Sequence, residues 1–308
     1  MKHLSIWSYS NHFENKVFPS IKSIKNLNIT SILTNKKIEL KKISIFNNKK
    51  FFFKNDKSNF IYISSINSQH YEDCKLALIN KKNVICEKPI CLNKNQLLNL
   101  SKIASDNKRK FYEMIQYVDH PLFEKLQLLL NSKKIGKIIN VESMFKVPLT
   151  DNNNFRFKKR LGGGALNDVG YYPISIMFTL FNSKNIKILK KNIIKEKALD
   201  VRGKILAKNE NQIFFNLAWG FKSDYKNYIK INGTKGIIKV DFIYSKKILQ
   251  GGEINIYRNK WEVITIPKYN QIKIAFQKIL FSKKKFFEER LSISLKILDI
   301  FEKIRKLP

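Results

Sequence analysis

Short apolar strands alternate with helical segments through the first 117 residues, and this alternation limits the folds that the chain can adopt. The strand-like stretches are rich in β-branched and aromatic residues and cover 3–8, 29–33, 43–53, 60–64, 83–86 and 110–115. The stretches between them, such as 71–80 and 93–107, have the apolar spacing of helices. This pattern predicts an α/β domain with a doubly wound parallel sheet.

The second part of the chain has a different pattern, in which long strands follow one another with few helices. The strand-like stretches cover 137–147, 186–195, 201–208, 212–221, 228–231, 236–244, 253–257 and 261–266, and the helical ones cover 121–131, 165–181 and 290–306. Such a pattern predicts an α+β domain with a large, mostly antiparallel sheet. We therefore expect a first domain at 1–117 and a second domain at 118–308.

The composition favours a soluble cytoplasmic protein. With 308 residues, of which 44% are hydrophobic, the chain can bury the cores of two modest domains. The chain has only three cysteines, and this small, odd number argues against a secreted disulfide framework. We find no pattern of a secretory leader and no run of about 18 apolar residues, so no membrane segment is expected.

The formal net charge of +35 raises the question of a nucleic-acid partner. Only seven of the 59 basic residues are arginine, and the lysines are spread over the whole chain. A nucleic-acid-binding protein concentrates its charge and uses more arginine. A bias in composition therefore explains the charge better than a nucleic-acid-binding function does, and the charge is compatible with an anionic small substrate.

One lysine suited to chemistry follows the strand-like stretch 83–86, in the tripeptide Glu87-Lys88-Pro89. Ligands of open α/β sheets bind at the carboxyl ends of the strands, and proline there ends the strand. The Lys88 ammonium could stabilise negative charge on a substrate oxygen or transfer a proton. The other interpretation is a solvated surface lysine, one of many in this chain.

A second candidate site begins with the glycine run Gly162–Gly164, which a helical stretch follows. Asp168 and Tyr172 are four residues apart in that stretch and would share one helical face. A carboxylate beside a phenol can orient a substrate hydroxyl and move its proton. The same pattern also suits a flexible turn, an aspartate near a helix start and a buried tyrosine.

The two candidate sites belong to a series of five motifs along the chain. They lie at 61–70 (IYISSINSQH), 83–89 (NVICEKP), 113–121 (EMIQYVDHP), 155–172 (which includes FRF and GGGALNDVGYY) and 232–236 (NGTKG). In this order they resemble the Gfo/Idh/MocA oxidoreductases, a family named after glucose–fructose oxidoreductase and inositol dehydrogenase. The resemblance covers most of the chain and implies a Rossmann-type first domain.

The resemblance implies hydride transfer between a nicotinamide cofactor and a hydroxyl-bearing carbon of a sugar, cyclitol or related polyol. The implied catalytic residues are Lys88, Asp168 and Tyr172, with Tyr172 transferring the proton and Lys88 lowering the pKa of its phenol. The implied substrate-binding residues are Lys88, Gln116, Arg156, Asp168 and Tyr172. A homodimer or homotetramer is expected, because family members usually pair through the open face of the second sheet. No metal is expected, since the histidines and cysteines lack metal-ligand spacing.

The implied cofactor is NAD or NADP, bound by the first domain. The candidate cofactor-binding residues follow the predicted strands: Ser8, Ser10, Asn11, Thr34, Asn35, Ser65, Asn67, His70, Glu87 and Lys88. The acidic residue that the family carries after the second strand is absent, and Lys36 or Lys37 could attract a 2′-phosphate. Both cofactors therefore stay open.

Ser8 and Ser10 stand where the family has glycines that let the backbone approach the pyrophosphate. Either the loop keeps its usual path and the serines are strained, or the loop shifts and their hydroxyls contact phosphate. We expect the shifted loop, because local adjustment costs less than sustained strain. Two alternative functions stay open: a family member that binds a ligand or partner without turnover, and a basic nucleic-acid-binding protein.

Overall fold

The computed structural model describes residues 1–307 and divides them into two compact units. The first unit contains Met1–Ile115 and Ile272–Leu295, and the second contains Gln116–Gln271 and the chain from Lys296. The first break lies two residues before the predicted boundary at 117. The predicted second domain, 118–308, includes the segment 272–295, which the structure places in the first unit.

Six parallel strands form the sheet of the first unit. They are β1 (Lys2–Trp7), β2 (Leu27–Leu33), β3 (Ser44–Phe46), β4 (Phe60–Ile63), β5 (Asn83–Glu87) and β6 (Phe111–Met114). Their order is β3-β2-β1-β4-β5-β6, and each neighbouring pair is parallel. The order reverses between β1 and β4, and dinucleotides bind in the crevice at such a reversal. The predicted doubly wound parallel sheet is confirmed.

Four helices connect these strands: α1 (Phe18–Ile21), α2 (Lys49–Asn55), α3 (His70–Ile79) and α4 (Lys94–Asp106). A wider helical turn at Phe13–Val17 precedes α1. The prediction of one strand over 43–53 is wrong. The Asn48 side chain accepts a 3.0 Å hydrogen bond from the backbone N–H of Phe51 and so begins α2 inside that stretch.

The second unit is built on an eight-stranded sheet. Its helices and strands are α5 (Pro121–Asn131), β7 (Ile138–Lys146), α6 (Ala165–Asp168), α7 (Tyr171–Thr179), β8 (Lys187–Glu196), β9 (Leu199–Lys208), β10 (Phe214–Gly220), β11 (Lys226–Gly233), β12 (Gly236–Asp241), β13 (Gln250–Tyr257) and β14 (Trp261–Tyr269). The order is β14-β13-β12-β11-β7-β10-β9-β8, and among the neighbouring strand pairs described in this second sheet only β7 and β10 are parallel. The predicted mostly antiparallel sheet is confirmed, while the predicted helix over 165–181 is divided into α6 and α7.

Two helices follow the second sheet, α8 (Gln271–Phe281) and α9 (Lys284–Lys306), whereas the sequence predicts a helix only over 290–306. The Phe276 ring packs against Tyr62, with centroids 5.4 Å apart. The Phe286 ring stacks on Tyr112 at 5.5 Å, with the two planes 3° apart. These contacts complete the core of the first unit and explain why the segment 272–295 belongs to it.

Candidate active site

The turn that carries Lys88 directly follows β5 and is held from two sides. His70 Nδ1 lies 2.8 Å from the carbonyl oxygen of Pro89, and the Glu113 carboxylate accepts a 2.8 Å hydrogen bond from the backbone N–H of Ile90. Both side chains are buried, and the Lys88–Pro89 peptide bond is cis. Buried hydrogen bonds of this kind fix a backbone, so the turn presents Lys88 from a defined position at the carboxyl end of the sheet.

His70 also connects this turn to the loop after β4. Its Nε2 lies 2.9 Å from the carbonyl oxygen of Ser65, while Nδ1 faces Pro89. Burial lowers the pKa of His70, and the two carbonyl contacts offset part of that effect. The Ser65 hydroxyl donates to Asp73 at 2.7 Å. The histidine therefore ties together the two loops that contain the predicted cofactor-binding residues of this region.

The Glu87 carboxylate, which precedes Lys88, has two partners inside the first unit. It accepts a 2.7 Å hydrogen bond from the Tyr62 hydroxyl, and His12 Nε2 lies 3.5 Å from the same oxygen. Burial alone would raise the pKa of Glu87, but the contact with His12, the hydrogen bond from Tyr62 and the charge of Lys88 hold that pKa below its ordinary value. Glu87 is therefore a carboxylate at neutral pH. No sequence motif indicates the roles of His12 and Tyr62.

The loop after β1 keeps the left-handed turn that glycine favours, although Ser8 occupies it. Ser8 has a φ of 79°, and its backbone N–H donates to the Leu33 carbonyl oxygen at 2.9 Å. The Ser64 hydroxyl donates to the Ser8 carbonyl oxygen at 3.0 Å. The expectation of a shifted loop is therefore wrong for Ser8, because these hydrogen bonds hold the backbone on its left-handed path.

The Ser10 hydroxyl has a structural role in the same loop. It donates to the Ser64 hydroxyl at 3.1 Å and accepts a 3.1 Å hydrogen bond from the backbone N–H of Phe13. This arrangement links β1, the helical turn that follows it and the end of β4. Ser10 thus stabilises the crevice between β1 and β4.

A lysine stands beside that crevice at the end of β2. The Thr34 hydroxyl accepts a hydrogen bond from the backbone N–H of Lys36 at 3.1 Å. The Lys36 ammonium donates to Asn11 Oδ1 at 3.1 Å, lies 3.7 Å from the Glu14 carboxylate and lies 5.7 Å from the centroid of the Tyr9 ring. A cation is therefore placed where this topology binds the adenosine ribose.

In the second unit, close backbone contacts require the glycine run. A Cβ at Gly163 would lie 2.4 Å from the carbonyl oxygen of Arg156, and one at Gly164, whose φ is 110°, would lie 2.5 Å from Asp200 Oδ1. No side chain tolerates such distances, so only glycine fits. The tight turn brings the Arg156 guanidinium to the Asp168 carboxylate, with Nε and Oδ2 2.6 Å apart.

Two residues outside the predicted site, Asp200 and Arg305, support this turn. Asp200 accepts a 2.5 Å hydrogen bond from the backbone N–H of Leu166, and Arg305 donates to Asn167 Oδ1 at 2.6 Å. Burial raises the pKa of Asp200, against the effects of the Leu166 N–H and the Arg305 charge. Both residues lie far from the motif in sequence, so no local pattern could indicate them.

The Tyr172 ring lies among aromatic side chains from separate parts of the second unit. Its centroid is 4.9 Å from that of Phe145, 5.5 Å from that of Tyr244 and 6.1 Å from that of Tyr117. The Tyr117 hydroxyl is in turn 2.6 Å from the Ser175 hydroxyl. Contacts with several rings orient an aromatic side chain, so this aromatic cluster holds the half-buried phenol of Tyr172 in place.

The predicted site residues therefore form distinct groups. In the first unit, one group follows β1 and β2 (Ser8, Ser10, Asn11, Thr34, Asn35) and another lies at or after the carboxyl ends of β4 and β5 (Ser65, Asn67, His70, Glu87, Lys88). In the second unit, Arg156 pairs with Asp168, and Tyr172 lies in the aromatic cluster. Gln116 contacts Gln271 there, with its Oε1 3.4 Å from the other amide nitrogen.

Residues 1–307 contain neither a metal-binding cluster nor a membrane-spanning helix. No group of three or more His, Cys, Asp or Glu side chains in this range is arranged to hold a metal ion. None of the helices in this range is both long enough and apolar enough to cross a membrane. The three cysteines, Cys74, Cys86 and Cys91, are buried thiols that form no disulfide.

Two family models match successive parts of the chain. Residues 11–115 match the NAD-binding Rossmann fold of the GFO/IDH/MocA oxidoreductase family, and residues 123–239 match a C-terminal domain of the same family. The chain belongs to the Gfo/Idh/MocA oxidoreductase family. Its first unit is the NAD(P)-binding domain of that family, as the motifs at 61–70 and 83–89 imply.

Two kinds of curated relative illustrate the range of the family. The chain is 30% identical over 189 residues to a trans-1,2-dihydrobenzene-1,2-diol dehydrogenase of Xenopus laevis, and the match covers 60% of this chain and 56% of the relative. It is 24% identical over 217 residues to a dTDP-3,4-didehydro-2,6-dideoxy-alpha-D-glucose 3-reductase of Saccharopolyspora spinosa, covering 70% and 65% of the two chains. The matches thus span between half and two thirds of these relatives.

Solved structures with the same fold match nearly the whole chain. A 3-ketoreductase from Actinomadura kijaniata, crystallised with NADP and TDP-benzene, has a TM-score of 0.91 at 18% identity, covering 99% of this chain and 97% of the other. An aldose–aldose oxidoreductase from Caulobacter crescentus has a TM-score of 0.87 at 15% identity, covering 99% and 96%. At these identities the likeness shows a shared fold.

Proposed function

We propose that this protein is an NAD(P)-dependent oxidoreductase that transfers a hydride to or from the hydroxyl-bearing carbon of a sugar-like substrate. The observation that carries the proposal is the fixed turn that presents Lys88 at the carboxyl end of β5, in a sheet with the strand order of dinucleotide-binding domains. Family membership supports it. So do the names of the relatives, which describe a diol dehydrogenase and a sugar reductase.

The residues of the first unit fit a nicotinamide dinucleotide. The crevice between β1 and β4 is intact, and the Ser10 hydroxyl holds its loop against Ser64. Lys36 supplies positive charge beside the end of β2, and the residue before it, Asn35, is uncharged. The bound nicotinamide would supply or accept the hydride. Lys36 leads us to propose that NADP is preferred over NAD.

The proposal assigns charge stabilisation to Lys88 and proton transfer to Tyr172. When a carbonyl substrate is reduced, its oxygen gains negative charge, which the Lys88 ammonium stabilises. The Tyr172 hydroxyl then donates the proton that completes the alcohol, and the same groups act in reverse during oxidation. Asp168, held by Arg156, and the amide of Gln116 orient the substrate hydroxyls.

A direct test is to titrate NADH and NADPH into the purified protein and follow cofactor fluorescence. We expect saturable binding of NADPH, followed by its oxidation when a keto sugar is added. Absence of binding at millimolar cofactor would refute the proposal and favour a family member without turnover. Cofactor binding without oxidation across keto sugars and diols would refute the proposed reaction while preserving the cofactor site.

The preference for NADP can be tested by reversing one charge. In Lys36→Glu, a carboxylate replaces the ammonium beside Asn11 and would repel a 2′-phosphate. We expect the Kd for NADPH to rise by about tenfold, which corresponds to ~1.4 kcal/mol, and the Kd for NADH to stay within about twofold. Lys37→Glu is the matched control, because Lys37 is exposed beside it and should have little effect. Equal weakening of NADH and NADPH by Lys36→Glu would contradict a role in phosphate recognition.

We also propose that the protein is a cytoplasmic homodimer or homotetramer that associates through the face of the eight-stranded sheet opposite α7. The three unpaired cysteines are compatible with a reducing compartment. Light scattering coupled to size-exclusion chromatography would measure the mass directly. A monomer at micromolar concentration would contradict the proposed assembly.

A further inference from the structure

An exposed pair of aromatic side chains lies next to the aromatic cluster around Tyr172. Tyr225, just before β11, and Phe242, just after β12, stack with centroids 6.1 Å apart and planes at 24°. They are 43% and 49% exposed, which is unusual for neighbouring large aromatic residues. The Tyr225 ring is 6.3 Å from Phe145, which in turn is 4.9 Å from Tyr172. The exposed pair is thus continuous with the site that contains the proposed proton donor.

A buried asparagine holds the pair in place. Asn227 Nδ2 donates to the Tyr225 hydroxyl and to the Ser245 carbonyl oxygen, each at 3.0 Å. The Asn227 Oδ1 accepts a hydrogen bond from the backbone N–H of Tyr244 at 3.0 Å. The backbone carbonyl oxygen of Asn227 accepts one from the backbone N–H of Phe242 at 2.6 Å. One buried residue therefore fixes both Tyr225, through its side chain, and the turn that carries Phe242, through its side chain and its backbone.

A buried lysine holds the same turn from the other side. The Lys246 ammonium donates to the carbonyl oxygens of Phe242 and Ile243, each at 2.6 Å. Phe242 itself has a φ of 53°, a conformation that costs free energy in any residue but glycine. Buried hydrogen bonds thus hold an exposed phenylalanine in an unfavourable backbone conformation. A residue that only covered the protein surface would not require such a conformation.

We infer that Tyr225 and Phe242 form a stacking surface for the ring of the sugar substrate. The faces of aromatic rings are negative, and the C–H groups of oxygen-bearing carbons are polarised positive, so the apolar face of a sugar ring packs well against them. Rings that are already fixed lose little conformational entropy on binding. This inference rests on the proposed function and adds a specificity element to it. Substrates with an uninterrupted C–H face would be preferred.

The test uses the full protein and ligand-observed saturation-transfer NMR, which requires no turnover. The probes are D-glucose, D-xylose, myo-inositol and dTDP-glucose, measured with and without NADPH. For the double variant Tyr225→Ala/Phe242→Leu, we expect the Kd of the bound probe to rise by about tenfold and the Kd of NADPH to stay unchanged. For any sugar that is turned over, KM should rise by a similar factor while kcat changes less than about threefold.

Two matched controls separate stacking from a structural effect. Trp261→Leu removes another exposed ring of the second unit, one that packs at a tilt against Tyr257, and should leave probe binding unchanged. Tyr225→Phe keeps the ring but removes the hydroxyl that Asn227 contacts, and it should retain probe affinity. Three results would overturn the inference. The double variant could bind the probe with wild-type affinity, Tyr225→Phe could lose as much probe affinity as the double variant, or the wild type could bind no probe. Probe binding without hydride transfer would refute the proposed reaction alone.

Discussion

Replacing either Lys88 by alanine or Tyr172 by phenylalanine is expected to lower kcat by at least about a hundredfold. Lys88→Ala removes the charge that stabilises the substrate oxygen, and Tyr172→Phe removes the proton while leaving the ring among Phe145 and Tyr244. The turn of Lys88 is held through backbone atoms and the side chains of His70 and Glu113, so it survives the substitution. NADPH binding should therefore change far less than turnover.

The measurements are steady-state kinetics with the best sugar substrate, together with NADPH titration of each variant. Lys102→Ala and Tyr257→Phe are suitable controls, because both residues are exposed and lie outside the groups described above. Near-normal turnover in both Lys88→Ala and Tyr172→Phe would remove the assignment of these residues. A loss of turnover accompanied by an equal loss of NADPH affinity in Lys88→Ala would instead assign Lys88 to cofactor binding.

Ser8→Gly is expected to tighten NADPH binding by about tenfold. Ser8 holds a left-handed conformation that costs a non-glycine residue roughly 1–2 kcal/mol. We propose that its side chain also limits the approach of the pyrophosphate, which a glycine at this position would allow. The strain relief in the folded protein is partly offset by the greater freedom of glycine in the unfolded chain, about 0.5–1 kcal/mol. The thermal midpoint should therefore change little, and the gain should appear in the Kd.

Ser10→Gly should have the opposite effect on the same loop. It removes the hydrogen bonds to Ser64 and to the backbone N–H of Phe13, each worth about 0.5–1.5 kcal/mol. We expect a lower thermal midpoint and NADPH binding that is weaker by several fold. Weaker NADPH binding by Ser8→Gly would show that the Ser8 hydroxyl contacts phosphate. Tighter binding by Ser10→Gly would mean that the Ser10 hydrogen bonds do not support the site.

The sequence was most informative where one physical requirement governs a whole segment. Parallel strands are covered on both faces, so they are short, continuous apolar runs, and the alternation with helices revealed the first sheet. The motif that contains Lys88 was equally visible, because a strand end and a proline coincide there. The glycine run was recognised as a special turn, and the structure explains it through contacts with Arg156 and Asp200.

The sequence was least informative where distant segments decide the local structure. The stretch 43–53 has the composition of a strand, yet the Asn48 side chain begins a helix within it. The helix α8 was not predicted, because its packing depends on a distant contact: Phe276 on this helix packs against Tyr62, more than 200 residues away in the chain. The strained Ser8 was not expected, because partners on β2 and at the end of β4 hold its backbone. Propensity cannot report contacts of this kind.

The late segment that completes the first core has a consequence for the biosynthesis of the protein. Domains generally fold as units during translation, starting from the N-terminus. Here Tyr62 and Tyr112 pack against Phe276 and Phe286, so the first unit lacks part of its core until the ribosome has passed residue 286. A premature stop before α8 would therefore damage the NAD(P)-binding domain, although every residue of its sheet had already been translated.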